Sequence, residues 1–69
     1  MERYKIDKLE QYVRSQLAGR VQDLRLLLRD NGLVIQGLSH SYHAKQLAQH
    51  FVVEGTHLPL LANDIRVSR

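Results

Sequence analysis

The sequence predicts a single α+β domain in the order helix, strand, strand, helix, strand, with both helices packed on one face of a three-stranded sheet. Three observations carry this prediction. Two segments place apolar residues at helical spacing, three shorter segments alternate in polarity, and an Asp-Asn-Gly run separates the first two of those. No repeat, low-complexity stretch or linker interrupts the chain, so residues 1–69 are read as one unit.

The first helix follows from Ile6, Leu9, Val13 and Leu17, three or four residues apart, with Lys8, Glu10, Arg14 and Gln16 largely off that stripe. Asp7 with Glu10 three positions on is the spacing of a capping box, and Gly19 is the expected stop. Next, Leu24, Leu26 and Leu28 share one phase of a period-two pattern, and Arg25 and Arg29 share the other, which predicts a strand over 21–29. Asp30-Asn31-Gly32 tolerates positive φ, so the strand over 33–38 returns through a tight hairpin, with the turn expected at Asn31-Gly32. Ser39 to Ser41 offer a cap for a second helix whose apolar face is Ala44, Leu47, Ala48, Phe51 and Val52. Gly55 is expected to close that helix in the left-handed region, and a loop with Pro59 follows. The last strand places Leu61, Ile65 and Val67 in one phase and Asp64 and Arg66 in the other.

The elements resemble the BON domain, a small αββαβ module of bacterial envelope proteins, in the hairpin Gly32, the following Val34 and Ile35, and the second-strand Gly37. The same resemblance extends to the helix pattern Ala44, Leu47, Ala48 and to the ending Asn63-Asp64-Ile65-Arg66-Val67, and it covers roughly residues 7 to 68. The Gly32 to Gly37 interval is slightly shorter than the family's, and the loop before Asn63 is slightly longer and holds Pro59. The resemblance implies attachment to phospholipid membranes or envelope partners, with no enzyme activity and no shared catalytic residues.

Bulk properties constrain the function only loosely. A domain of this size buries about 60% of the surface its unfolded chain exposes, and with Cys 0 no disulfide or thiolate contributes. The net charge of +3 and pI of 9.7 favour acidic partners weakly, since ten basic residues face seven acidic ones without a basic run. The longest apolar runs are far too short to span a membrane, and the N-terminal residues lead into no signal core. As written, the chain is expected to be cytoplasmic, or in the periplasm or envelope if it is a domain of a larger product.

With the helices over the face of Leu24, Leu26, Leu28, Ile35 and Ile65, the opposite face presents Arg25, Leu27, Arg29, Val34, Gln36, Leu38, Asp64 and Arg66. The expected hairpin sets Arg29 opposite Val34 and Leu27 opposite Gln36, and Arg66 joins this patch if the third strand lies beside the first. Arg25, Arg29, Arg66, Leu27, Val34 and Gln36 are therefore the candidate binding residues. Their partner is an anionic phospholipid surface or a protein. Arginine stems lying over Leu27 and Val34 also fit an ordinary solvated face or a homodimer contact.

Other chemistries find little support. Tyr4, Tyr12, Tyr42 and Phe51 all fall outside the predicted strands, so the sheet has no stacking platform, and no GXXG loop is present, which argues against nucleic acid. Tyr12 and Tyr42 are expected to rest their rings at the core edge. His40, His43, His50 and His57 lack the i, i+4 spacing of a helical zinc pair, so no metal or other cofactor is expected. Ser39 and Ser41 form no nucleophile elbow, and the glycines form no phosphate loop.

Overall fold

The computed structural model describes residues 3–68, so residues 1, 2 and 69 of the predicted unit lie outside the described residues. The expected order holds: α1 (Arg3–Leu17), β1 (Val21–Arg29), β2 (Gly32–Ser39), α2 (Tyr42–Gly55) and β3 (Leu60–Val67). Because α1 begins ahead of Asp7, Asp7 and Glu10 lie within the helix and form no capping box at its start. At its other end Ala18 and Gly19 turn left-handed, with φ of 50° and 83°, and the chain reverses where Gly19 was expected to stop the helix.

β1 and β2 form the hairpin through Asp30 and Asn31, whose φ values of 45° and 70° give the double left-handed conformation of a type I′ turn. Gly32 is thereby the first residue of β2, paired with Arg29. The expected register is corrected accordingly: Leu27 faces Val34, and Arg25 faces Gln36. Asp and Asn can both adopt positive φ, whereas Gly32 is needed for another reason. A Cβ there would stand 2.5 Å from Leu61 Cγ, which occupies that space from β3.

β3 runs parallel to β2 after the α2 crossover, and the sheet order is β1-β2-β3. The sheet is mixed, and β3 lies beside β2 with no contact to β1 in the ladder. Two irregularities shape it. One lies at Asp23, φ 54°, between the pairs made by Gln22 and Arg25, and the other lies in β3 beside the Leu33/Val34 step. The first folds β1 over Gly37, where a Cβ would meet Val21 Cγ1 at 2.8 Å and the Gln22 carbonyl at 3.1 Å. Gly37 is thus a close-approach glycine.

Both helices pack on one face of the sheet. Val13 and Leu17 of α1, Ala48 and Val52 of α2, and Leu24, Leu33, Ile35 and Ile65 of the strands are almost wholly buried there. Ser41 caps α2, its Oγ accepting the Ala44 N–H at 3.3 Å. Gly55 departs from expectation. It is the last helical residue, the extended Thr56 (φ −151°) follows it, and the Leu9 side chain of α1 fills the place of its missing Cβ. The glycine serves helix contact instead of a left-handed stop.

Candidate functional site: the uncovered sheet face

Strand alternation together with the observed register sorts the face turned away from the helices into rows. Leu27, Val34 and Ala62 form an apolar row; Arg25, Gln36 and Asp64 form the next; Gln22, Leu38 and Arg66 form the third. Beyond the apolar row, Arg29 faces Gly32, over which the half-exposed Leu61 folds. Leu27, Val34, Leu38 and Ala62 keep partial exposure because no helix covers them, and the arginines are exposed.

Five of the six predicted site residues, Arg25, Leu27, Arg29, Val34 and Gln36, are neighbours on the hairpin. Arg66 shares their face but stands on the far side of the central strand, opposite Leu38, because β3 pairs with β2. Neighbouring strands lie about 4.8 Å apart, so the Arg66 backbone is about 10 Å from β1. Asp64, in the row of Arg25, adds a negative charge between the positive groups. Among the described residues Arg25, Arg29 and Arg66 make no ion pair within the chain.

By alternation alone Leu61 shares the phase of Ile65 and Val67 and would face the helices. The irregularity at the start of β3 removes it from that phase and sets it on the open side above Gly32.

The remaining polar residues are engaged structurally. Glu10 and Arg14 of α1, 3.6 Å apart, reach the outer edge of β1: Glu10 Oε1 accepts the Leu26 N–H at 2.9 Å, and Arg14 donates to the Leu24 carbonyl at 2.8 Å. Asn63 fastens β3 to α2, its amide donating to the Lys45 carbonyl at 3.0 Å while its Oδ1 accepts the Ile65 N–H at 3.2 Å. Buried Ser39 donates its hydroxyl to the Ser41 carbonyl and accepts the Ser41 N–H, which holds the turn into α2. Tyr12 packs edge-to-face on Phe51 as expected, whereas Tyr42 is 63% exposed and lies off the core. All four histidines are exposed, and among the described residues no three metal-ligating side chains converge. No helix among them is long and apolar enough to cross a membrane.

Comparison of the chain with protein-family models, curated proteins and solved structures gives no match.

Proposed function

We propose that this domain is a non-catalytic accessory binding module that lays its uncovered sheet face on an anionic phospholipid surface. One observation carries the reading: an apolar row of Leu27, Val34 and Ala62, with Leu61 beside it, is flanked by Arg25 and Arg29 and shares its face with Arg66, and among the described residues none of these arginines makes an ion pair. The BON resemblance points the same way and implies a bacterial envelope setting. An open face this apolar gains from a surface that accepts its centre while meeting its cationic rim.

Each basic residue near an anionic leaflet contributes about 1 kcal/mol, and an acidic one takes back a similar amount. Three arginines less Asp64 leave roughly 2 kcal/mol, or about thirtyfold in partitioning. A single copy therefore binds weakly, and firm attachment requires linked or associated copies.

Vesicle co-sedimentation tests the proposal. Binding is expected to phosphatidylglycerol-containing vesicles and not to phosphatidylcholine alone, to fall with salt, and to be lost in the Arg25→Ala/Arg29→Ala/Arg66→Ala variant. Equal, negligible binding to both vesicle types overturns it. Retained binding in the triple variant overturns the assignment to this face.

A further inference from the structure

Among the described residues β3 is an outer strand, and no other strand pairs with its outer side. The Ser68 N–H to Ser39 carbonyl bond of 2.7 Å continues the β2–β3 ladder, in which Ala62, Asp64 and Arg66 point their backbone groups at β2. Alternation then turns the N–H and C=O groups of Asn63, Ile65 and Val67 outward. The Ile65 N–H is held meanwhile by the Asn63 side chain.

Beside this edge, on the helix side, lies a groove of about 470 Å³ lined by Tyr42, Gln46, Gln49, Val53 and Asn63 among others. The four helical residues fall at i, i+4, i+7 and i+11, a single strip along α2. Tyr42 and Val53, 63% and 53% exposed, are the most exposed of the large apolar side chains described. An unpaired strand alongside an apolar helical strip is the geometry that accepts an added strand.

We propose that this edge is a self-association surface, on which β3 of a second copy pairs antiparallel about a two-fold axis through Ile65. The two sheets join into one of six strands, and the α2 strips meet over the seam. Charge decides the occupant. Antiparallel pairing about Ile65 sets Asp64 opposite Arg66 of the second copy, and Arg66 opposite its Asp64, on one face of the joined sheet. Shifting to either adjacent register that keeps the outward backbone groups facing each other sets Asp64 against Asp64 or Arg66 against Arg66. The edge is thus complementary to itself in the central register and repulsive in its neighbours. Asn63, Ile65 and Val67 of the two copies supply up to about six hydrogen bonds across the seam, and the Asn63–Ile65 contact of each copy is exchanged for one of them. Asn63 keeps its bond to Lys45.

The two-fold axis stands perpendicular to the sheet, so both uncovered faces look the same way. In the proposed lipid reading, on which this consequence alone rests, the dimer presents two arginine-rimmed faces to one membrane.

Sedimentation equilibrium without lipid tests the pairing, so its outcome is independent of vesicle binding. Wild type is expected to show a monomer–dimer equilibrium. Arg66→Asp and Asp64→Arg, both at exposed positions, each replace two attractive pairs by two repulsive ones and are expected to weaken it on the order of tenfold. The double variant Asp64→Arg/Arg66→Asp re-creates the pairs in mirror order and is expected to restore association, with circular dichroism verifying the fold throughout. Val67 N–H exchange should slow as concentration rises. A protein monomeric at millimolar concentration, an association indifferent to the single reversals, or a folded double variant that fails to recover overturns the proposal.

Discussion

Along β1 two of the outward backbone groups are taken up by a neighbouring helix, whose Glu10 and Arg14 hold the Leu26 N–H and the Leu24 carbonyl as a charged pair. Along β3 the corresponding role falls to one neutral side chain of the strand itself, Asn63, which covers the Ile65 N–H. Displacing the charged pair gives up two charge-assisted hydrogen bonds to the β1 backbone, each stronger than a neutral one. A local amide can be exchanged for a ladder bond of equal kind. Two outer strands of one sheet are therefore closed to different degrees, and this difference, more than any exposed patch, marks where another chain can join.

The largest effect is expected at Ile65, which is 1% exposed against the helices: Ile65→Ala should cost about 2–5 kcal/mol in urea denaturation. That result shows β3 to be held chiefly by its buried side chain, and a loss below about 1 kcal/mol would instead assign the hold to hydrogen bonding. Asn63→Ala removes the amide that binds Lys45 and Ile65 and should cost about 1–3 kcal/mol. Glu10→Ala should cost about 1–2 kcal/mol and speed Leu26 amide exchange, since its carboxylate is that N–H's acceptor. Glu10→Gln keeps an acceptor and should recover much of the protection, and failure to do so identifies the Arg14 charge as what closes this edge.

The sequence pattern specified the elements well and their neighbours poorly. Helical stripes and period-two runs are properties of single segments, so Val21 to Arg29 and the Ser41-capped helix could be read directly. Which strand lies in the middle is set by packing between distant segments, which no local pattern encodes. The turn was ambiguous for a similar reason. Asp30-Asn31 and Asn31-Gly32 both tolerate positive φ, and the choice goes with the approach of Leu61 from a distant strand. At the candidate face, alternation alone brought together Arg25, Leu27, Arg29, Val34 and Gln36. The position of Arg66 followed strand order and was not legible. Glu10 and Arg14 look in sequence like an ordinary i, i+4 surface pair, and only the packing of α1 along β1 gives them their role.

The parallel pairing of β3 also bears on the order in which the chain assembles. β1 and β2 are joined across two residues, whereas β3 reaches β2 only after the 14-residue α2 has formed and crossed. Local contacts close first because they sacrifice less chain entropy. The hairpin thus precedes the third strand, and until β3 docks, the central strand presents Leu33 and Ile35 along a bare edge. A β3 arriving from another molecule meets the same register there as the chain's own. Strand exchange between molecules is therefore the misassembly expected of this topology, competing in the interval between hairpin closure and crossover.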